Sequence, residues 1–506
     1  MANDTICALA TPAGGAIGII RISGSLAINI TDSIFRPANV CRKKDGNEST
    51  TAGHLKKART QTIHYGTITD SEGNIIDDVL VALFRAPHSY TGEDSTEISC
   101  HGSRYILNKV LQLLIDAGCR QAQPGEYTQR AFLNGKMDLS QAEAVADLIA
   151  ATNSATHRIA IGQLRGNIST ELSQLRDRLL KMTSLIELEL DFSDHEELEF
   201  ADRTELLSLA NTISQHINNL TSTFASGHAI KQGIPVAIVG KTNVGKSTLL
   251  NLLVGEDKAI VSNIHGTTRD VIEDTTDING VTFRFVDTAG LRTTDDEIER
   301  IGIERTYRKL NDATIVLWIV DSIPSHEECR DIISRCHNKK LIVVNNKTDI
   351  TDITTQLSKL FYCITQSYIT DSNEENRTYL SSNYNTEITD TKTKTTIPSS
   401  DIEIIGISAA TGNNTETLRN TIYRLADIPA IHENDVILTS ARHYNSLILA
   451  HKSIIRVIDG LNLGLSGDLL SEDLRICIEH LAEITGNQIN TNEVLANIFK
   501  HFCIGK

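Results

Sequence analysis

The sequence lacks the features of a secreted or disulfide-bonded protein. Its nine cysteines form no short, evenly spaced set and no C-x-x-C pair, so neither a disulfide framework nor a paired-cysteine metal site is indicated. Cysteines used this sparingly are typical of a reducing compartment. The first basic residue is Arg21, so the amino terminus has neither the charged start of a signal peptide nor the arginine-rich character of a transit peptide.

Long apolar runs and an excess of positive charge are also missing. The apolar runs are short, such as Ile315 to Val320, and none approaches the roughly 20 residues of a membrane span. Lys and Arg total 48 against 64 Asp and Glu, which gives a net charge of −16. A protein that coats nucleic acid non-specifically needs an excess of positive charge, so the net charge argues against that class of protein. It does not exclude a local RNA-binding site. We expect a soluble, acidic, cytoplasmic protein.

What is present indicates an ordinary globular chain of several domains. Apolar residues make up 40% and charged residues 22% of the 506 positions, a length that suggests about three domains. Within 1–134, short apolar runs predict strands at Ile17–Ile22, Ile75–Phe84 and Thr96–Cys100, and a helix at Tyr105–Ala117. This first part is therefore predicted to be an α+β domain.

The segments 135–232 and 429–506 have helical patterns instead. Ser140 and Glu143 have the spacing of a capping box, and apolar residues follow at helical intervals. No proline occurs between Gly125 and Pro235, so nothing in that stretch forces a helix to end. Both segments are predicted to be all-helical.

Between them, residues 233–428 alternate strand and helix patterns, which indicates a doubly wound parallel sheet. The β-branched runs that predict its strands are Val236–Val239, Val281–Val286, Thr314–Val320, Leu341–Val344 and Ile402–Ile407. One stretch, 365–400, is rich in Thr, Ser and Asn and poor in large apolar residues. It predicts a long mobile insertion in this domain.

A phosphate-binding loop is the first motif with a clear chemistry. The segment from Gly240 to Ser247 fits G-x-x-x-x-G-K-S and lies between an apolar strand and a helical pattern, which is the context that supports a P-loop. Its glycines allow backbone N–H groups to face phosphates at a helix N-terminus. Lys246 is predicted to reach the β- and γ-phosphates, and Ser247 to ligate Mg²⁺.

Four further motifs follow in the order found in GTPases. Asp287-Thr-Ala-Gly290 ends a strand, where the Asp holds Mg²⁺ and the Gly N–H faces the γ-phosphate. The segment Gly266–Asp270 is predicted to be a switch loop whose Thr268 hydroxyl ligates Mg²⁺. In Asn346-Lys-Thr-Asp349, the Asp can accept two hydrogen bonds from guanine that adenine cannot offer, and Ser408–Ala410 completes the base site. The ligand is therefore predicted to be GTP rather than ATP.

The catalytic group is left open by these motifs. Ras-type GTPases place a water-orienting Gln directly after D-x-x-G, but that position is Leu291, which cannot orient water. A carboxylate from the following loop is needed, and the candidates are Asp295, Asp296, Glu297, Glu299 and Glu304.

The sequence resembles the tRNA-modification GTPase MnmE (TrmE) family over nearly its whole length. The resemblance rests on segments in the first domain, on the switch motifs and on the carboxyl terminus: Ala10-Thr-Pro12, Arg21-Ile-Ser-Gly24, Tyr90–Asp94, Pro124–Glu126, Arg130–Asn134, Gly266–Asp270, Asp287–Arg292, Glu299–Gly302 and Phe502-Cys-Ile-Gly-Lys506. It implies an α+β folate-binding and dimerisation domain at 1–134 and an all-α helical domain at 135–232 and 429–506. An α/β Ras-like G domain at 233–428 is inserted between the two helical sections.

The resemblance also implies the reaction and its partners. The family is a K⁺-dependent GTPase that modifies C5 of the wobble uridine of certain tRNAs to an aminomethyl-type or carboxymethylaminomethyl-type uridine. It acts as a homodimer and forms a heterotetramer-like complex with an FAD-containing MnmG-type partner. Its cofactors are GTP, Mg²⁺, K⁺ and 5,10-methylene-tetrahydrofolate, for which formyl-tetrahydrofolate is an analogue.

Individual residues take roles through the same resemblance. Glu299 aligns with the family's catalytic glutamate, which acts through water. K⁺ would be held by Asn243, Ser262, Ile264 and Thr267, and folate would be surrounded by Arg21, Glu97, Lys136 and Lys506. Cys503 is a further candidate for the catalytic set, beside Glu299 and Lys246. The predicted GTP-binding residues are Asn243, Val244, Gly245, Lys246, Ser247, Thr248, Ser262, Asn263, Ile264, His265, Gly266, Thr267, Thr268, Asp287, Thr288, Ala289, Gly290, Asn346, Lys347, Thr348, Asp349, Ser408, Ala409 and Ala410.

Two other functions are each suggested by one feature of the sequence. A ribosome-assembly GTPase without modification activity would carry an RNA-binding module marked by a G-x-x-G clamp. Gly464-Leu-Ser-Gly467 matches it, but no Lys or Arg lies between Arg456 and Arg475 to hold phosphate. A prenylated membrane switch would need a suitable box after Cys503, and the residues Ile-Gly-Lys do not suit that chemistry.

Overall fold

A computed structural model describes residues 4–38, 53–191, 203–255, 274–287, 313–337, 339–364, 402–429, 431–432 and 435–486. The chain divides into two compact units. The first comprises Met1–Ala150, Ala160–Thr221 and Ala441–Lys506, and the second comprises Ala151–Ile159 and Ser222–Ser440. The predicted insertion at 365–400 lies outside the described residues. Among those that are described, no helix is long and apolar enough to cross a membrane.

The first unit contains a seven-stranded sheet in the order β3-β4-β5-β6-β2-β1-β7. Neighbouring strands are antiparallel except for β1 and β7, which are parallel. The strands are β1 (Ile6–Leu9), β2 (Ile17–Ser23), β3 (Phe35–Pro37), β4 (Thr62–Thr69), β5 (Ile75–Phe84), β6 (Ser95–His101) and β7 (Arg120–Gln121). The three strands predicted in this domain are confirmed.

One face of this sheet is buried because its apolar residues alternate along each strand. Val79, Val81 and Leu83 of β5 share a core with Ile20 of β2 and Ile98 of β6. Helices Ala27–Ile34 and Arg104–Asp116 contribute to the same core, and the second of them confirms the predicted helix. Side chains at the intervening positions lie on the opposite, open face, and that face carries Arg21 and Glu97.

The remaining helices of the first unit form the helical part of the chain. Helix Gly467–Thr485 packs on both Ala441–Asn462 and Asn167–Asp191. The described helices outside residues 234–425 are Ala27–Ile34, His54–Lys57, Arg104–Asp116, Glu126–Leu133, Leu139–Ala150, Ser154–Leu164, Asn167–Asp191, Arg203–Ser222, Phe224–Gln232, Ala441–Asn462 and Gly467–Thr485. Of these, Phe224–Gln232 belongs to the second unit. The predicted change from strand to helix after residue 134 is confirmed.

The predicted capping box at Ser140 and Glu143 is wrong. The helix begins at Leu139, and Asp138 precedes it, where its Oδ1 accepts hydrogen bonds from the Gln141 N–H (3.0 Å) and the Ser140 hydroxyl (2.7 Å). Glu143 instead pairs with Arg442 (2.8 Å). Burial alone would raise the pKa of Glu143, but the His443 imidazole and the Arg442 guanidinium outweigh it and lower that pKa to about 2.

The second unit contains a six-stranded sheet in the order β13-β12-β11-β8-β10-β9. Its strands are β8 (Ile234–Gly240), β9 (Asp274–Ile278), β10 (Val281–Asp287), β11 (Ile315–Val320), β12 (Lys340–Asn345) and β13 (Ile402–Gly406). All neighbours are parallel except β9 and β10, which form an antiparallel hairpin. Helices Lys246–Gly255, His326–Arg335, 354–364 and Thr415–Leu425 accompany the sheet. The α/β class predicted for this part is confirmed, as are its five predicted strands.

Candidate functional site

The predicted phosphate loop lies at the carboxyl end of β8, a central strand of the second sheet. Backbone φ is positive at Gly240 (155°), Asn243 (65°) and Gly245 (96°). A Cβ on Gly240 would lie 2.4 Å from the Ile319 carbonyl oxygen, so a larger residue would push this loop off its neighbouring strand. The helix that follows starts at Lys246, and the loop therefore leads directly into a helix N-terminus, which favours anions.

The Lys246 ammonium lies across this loop. Its Nζ donates to the carbonyl oxygens of Gly240 and Lys241, each at 2.7 Å. Ser247 and Thr248 are exposed in the first turn of the helix, as is Asn243 in the loop. The charge and hydroxyl groups that a nucleotide phosphate and its metal ion need are thus placed together at one end of the sheet.

The predicted guanine motif starts where β12 ends and is tied to the phosphate loop. The Asn346 amide nitrogen donates to the Val244 carbonyl oxygen (2.8 Å), and its amide oxygen accepts from the Ala409 N–H (2.9 Å). Gly245 contacts the same side chain so closely that an added Cβ would lie 2.2 Å from Asn346 Nδ2. One buried amide therefore joins the phosphate loop to both base-binding segments.

Lys347 reinforces this junction. Its Nζ donates to the Asn243 carbonyl oxygen (2.9 Å) and pairs with Asp321 at 2.7 Å. Asp349 is exposed and, among the residues that the structure describes, its carboxylate makes no hydrogen bond or ion pair. That carboxylate is available to accept hydrogen bonds from a ligand, as the prediction requires.

The Ser408 segment is hydrogen-bonded on both sides, although it is far from the Asn346 motif in sequence. Thr348 N–H donates to the Ile407 carbonyl (3.1 Å), and Ser408 N–H donates to the Asn413 carbonyl (3.2 Å). Ser408 and Ala409 are buried, whereas Ala410 is exposed. The structure therefore places this segment beside the Asn346 motif.

Several predicted site residues lie outside the described residues. They are Ser262, Asn263, Ile264, His265, Gly266, Thr267, Thr268, Thr288, Ala289, Gly290, Glu299, Cys503 and Lys506. Asp287 is described as the last residue of β10, which runs parallel to β8 with Asp287 opposite Ile238. Its position at the carboxyl end of a strand matches that of the phosphate loop.

A second candidate site lies on the open face of the first sheet. Arg21 of β2 and Glu97 of β6 are directly opposite each other, and Arg21 Nε donates to Glu97 Oε1 at 2.8 Å. The Arg21 guanidinium carbon lies 5.5 Å from the centre of the Tyr90 ring and 5.7 Å from that of Tyr127, within the range of cation–π contact. Burial raises the pKa of both phenols, so both rings stay neutral around the cation.

Lys136 reaches the same loop that carries Tyr90. Its Nζ donates to the Pro87 carbonyl oxygen (3.0 Å), and its side chain packs close to Gly92. Glu93 fixes this loop to the rest of the domain, because its carboxylate accepts from the Ser23 hydroxyl (2.8 Å) and pairs with Arg130 (3.2 Å). Arg21 and Lys136 thus both contact this loop, and Glu97 pairs with Arg21.

The chain matches two family models that together span it. Residues 5–136 match the model described as "GTP-binding protein TrmE N-terminus", and residues 139–503 match "MnmE helical domain". The chain belongs to the MnmE family of tRNA modification GTPases.

Full-length relatives named tRNA modification GTPase MnmE agree with this assignment. The protein of Bacteroides thetaiotaomicron is 52% identical over 510 residues, covering 100% of both chains. That of Phocaeicola vulgatus is 51% identical over 531 residues, covering 100% of this chain and 99% of the relative. Among solved structures, a GTP-binding protein of Sulfolobus solfataricus in complex with GDP is 20% identical, covering 50% of this chain and 66% of that one at a TM-score of 0.25.

Three residues of these MnmE sites were not singled out from the sequence as ligand or positioning groups. Tyr90 and Tyr127 hold the Arg21 guanidinium, and Asp321 holds Lys347. Tyr90 falls in a segment that resembles the family, which is the one signal that could have marked it. Tyr127 and Asp321 act through contacts far apart in sequence, for which a single chain gives no pattern.

Proposed function

We propose that this chain is a K⁺-dependent GTPase whose turnover drives modification of C5 of the wobble uridine in tRNA, using a tetrahydrofolate one-carbon unit. The product is an aminomethyl-type or carboxymethylaminomethyl-type uridine, made together with an FAD-containing MnmG-type partner. A tRNA substrate places this activity in the cytoplasm. The observation that supports the proposal most strongly is that one chain of this family carries both a phosphate-and-base site and a separate Arg21–Glu97 site.

Nucleotide binding would use the residues already joined around Asn346. Lys246 would exchange its two loop carbonyls for phosphate oxygens, which hold an ammonium more strongly because they are charged. Ser247 is exposed at the start of the helix and would ligate Mg²⁺ together with Thr268. A bound Mg²⁺ would neutralise charge on the phosphates.

The Asp349 carboxylate would accept hydrogen bonds from the guanine base, and Asp349→Asn tests this role. The substitution replaces a carboxylate acceptor by a mixed donor and acceptor, so we expect GTP affinity to fall by about 10- to 100-fold, from the loss of hydrogen bonds to a charged group. Affinity for xanthosine triphosphate should rise. Equilibrium titration with both nucleotides measures the change.

Asp331→Asn is the matched control, because Asp331 pairs only with Arg335 on an exposed helix among the described residues. It should bind GTP normally. GTP affinity that stays unchanged in Asp349→Asn would show that another residue reads the base.

Asn243 would supply the side-chain ligand of K⁺, with Ser262, Ile264 and Thr267 completing the set. The described part of the site fits this role, because the Asn243 side chain is exposed on the phosphate loop while its carbonyl is fixed by Lys347. A cation beside the β–γ bridge would stabilise developing charge as an arginine finger does.

The ion requirement predicts faster GTP hydrolysis in KCl than in NaCl. At matched ionic strength we expect a difference of at least about tenfold, since one electrostatic contact to the transition state typically contributes more than that. Asn243→Gly removes the ligand but tolerates the positive φ of 65° at this position, so it should remove most of the difference. Equal wild-type rates in the two salts would contradict the assignment.

Folate would be held by Arg21, Glu97 and Lys136, joined by Lys506. A pterin donates hydrogen bonds and the glutamate tail is anionic, so the site needs a carboxylate and cations close together. Glu97 and Arg21 meet this need at 2.8 Å, and the exposed Lys136 donates to the Pro87 carbonyl at the start of the Pro87–Asp94 loop. Bound methylene-tetrahydrofolate would supply the one-carbon unit.

A homodimer would cover the open face of the first sheet. Large apolar side chains on that face are solvent-exposed, among them Ile63 (69%), Tyr65 (57%) and Leu80 (47%). Ile63 lies opposite Ala82, which lies opposite Glu97, so the apolar surface borders the Arg21–Glu97 pair. A second copy of the chain seated here would bury this surface and border the folate site.

Tyr65→Glu combined with Leu80→Glu is expected to convert a dimer to a monomer, because it places charge in an apolar interface. Sedimentation velocity measures the change. Ile323→Glu introduces the same charge at an isoleucine that is 55% exposed in the second unit, and it should leave the dimer intact. A dimer that survives the double substitution would place the interface elsewhere.

Mass spectrometry of wobble uridines tests the proposed reaction directly. tRNA from cells that lack this protein should lose the modified nucleosides, and they should return when the chain is supplied. Unchanged nucleosides would refute the modification while leaving the GTPase assignment intact.

A further inference from the structure

The hairpin β9–β10 lies between the two predicted switch segments in sequence. Gly266–Asp270 precedes it, and Asp287, the first residue of the D-x-x-G motif, is its last residue. Its turn is Asn279-Gly280, with φ of 52° and 80°, a pair of residues that favours a tight two-residue turn. The turn is therefore at the far end of β10 from Asp287, about 20 Å away for a strand of this length.

This turn is bonded to the start of helix Ser154–Leu164. The Asn153 amide nitrogen donates to the Thr282 hydroxyl at 2.7 Å, and the Ala155 N–H donates to the Gly280 carbonyl at 3.1 Å. The contact is tight, because a Cβ on Gly280 would lie 2.1 Å from the Ser154 hydroxyl oxygen. The hairpin and the helix start are thus in direct backbone and side-chain contact.

The same helix start is also part of the core beneath the sheet. Ala155 and Ile159 are buried together with Val281, Phe283 and Phe285 of β10. Asn153 additionally caps the helix, since its Oδ1 accepts from the Thr156 N–H at 2.8 Å. One side chain, only 7% exposed, therefore both starts the helix and binds the strand.

The boundary between the two compact units falls inside this helix. Ala151–Ile159 belong to the second unit, whereas the residues from Ala160 belong to the first. A displacement of the helix start would be carried along continuous hydrogen-bonded backbone into residues of the first unit. In GTPases the switch segments are ordered by the γ-phosphate and released on hydrolysis, so a strand that joins the two segments is placed to move with them.

We propose that Asn153 is a positioning residue that, through Thr282, transmits the nucleotide state of the switch segments along β10 to helix Ser154–Leu164 and so couples GTP turnover to tRNA modification. The coupling to modification rests on the proposed function, but the nucleotide-dependent response of the helix does not.

Hydrogen exchange on the full chain tests the response of the helix. In the wild type, amides of the helix should exchange at different rates with GDP and with a non-hydrolysable GTP analogue. Asn153→Ala and Thr282→Val should each reduce that difference. Thr282→Val removes only the bond to Asn153, whereas Asn153→Ala also removes the cap on Thr156, so the double variant should reduce the difference no further than Asn153→Ala alone. Thr276→Val is the matched control: Thr276 lies on β9, is 1% exposed, and its hydroxyl has no hydrogen-bond partner among the described residues.

Turnover and modification give the second readout. Asn153→Ala should hydrolyse GTP within about twofold of the wild type, since it touches no predicted phosphate or base contact. Wobble-uridine modification should fall by about 5-fold to 150-fold, the usual range of coupling between two sites. A normal melting temperature would confirm that the variant is folded.

Two results would overturn the proposal. One is a helix whose exchange does not depend on the nucleotide in the wild type. The other is an Asn153→Ala variant whose exchange difference equals that of the wild type. An Asn153→Ala variant that loses the exchange difference but modifies tRNA normally would support transmission of the nucleotide state to the helix. It would refute the proposed link from GTP turnover to modification.

Discussion

Replacing Glu299 by alanine is expected to slow GTP hydrolysis by about 10²–10⁴-fold while GTP affinity stays near normal, because a positioned carboxylate typically contributes that factor. The residue that orients water in Ras-type GTPases is replaced here by Leu291, so we expect the group to come from the carboxylates that follow in sequence. Single-turnover hydrolysis together with a binding titration separates the chemical step from affinity.

Glu304→Ala is the matched control, since it removes a carboxylate from the same loop segment. It should hydrolyse GTP at close to the wild-type rate. A drop of less than about threefold in Glu299→Ala would transfer the role to Asp296 or Glu304.

Deletion of Cys503 to Lys506 is expected to abolish wobble-uridine modification and to leave GTP hydrolysis nearly unchanged. These four residues carry a thiol and a terminal charge, and they resemble the family's most specific signature. The last described residue before them in the chain is Gly486, which packs against Phe132 and Leu139 so closely that an added Cβ would lie 2.8 Å from the Phe132 ring. Nucleoside analysis and a GTPase assay on one preparation measure the two activities.

Cys503→Ser divides this effect between two roles. If the Cys503 thiol is a nucleophile, the substitution should remove most of the modification activity, because a hydroxyl is a far weaker nucleophile at neutral pH. If Cys503 only lines the site, the substitution should leave most of the modification activity in place. Normal modification by the truncated chain would refute a role for the terminal residues.

The strands could be predicted because their burial appears in the sequence as continuous apolar runs or as alternation of apolar and polar residues. Runs such as Leu341–Val344 are β-branched and fully buried in β12, and the alternation in Ile75–Phe84 matches the one buried face of β5. The phosphate loop, the Asn346 motif and the Ser408 segment were predictable as well, since each follows such a strand.

Side-chain partners far apart in sequence could not be predicted. Glu143 has the spacing of a capping residue, yet its carboxylate pairs with Arg442, 299 positions away. The capping-box interpretation failed because Asp138, closer to the helix start, offers the N–H groups a better acceptor. Likewise the position of Arg21 between Tyr90 and Tyr127 follows from sheet topology and not from local spacing.

The buried Asn346 amide has a consequence for how a nucleotide leaves. It bonds the phosphate loop at Val244 and the Ser408 segment at Ala409, and Gly245 packs directly on it. Movement of either loop breaks a buried hydrogen bond to the same Asn346 amide. A displacement of this side chain is therefore expected to loosen both loops, so that base and phosphates are released in one cooperative event. A factor that accelerates exchange would need to disturb only this one side chain to loosen both ends of the nucleotide.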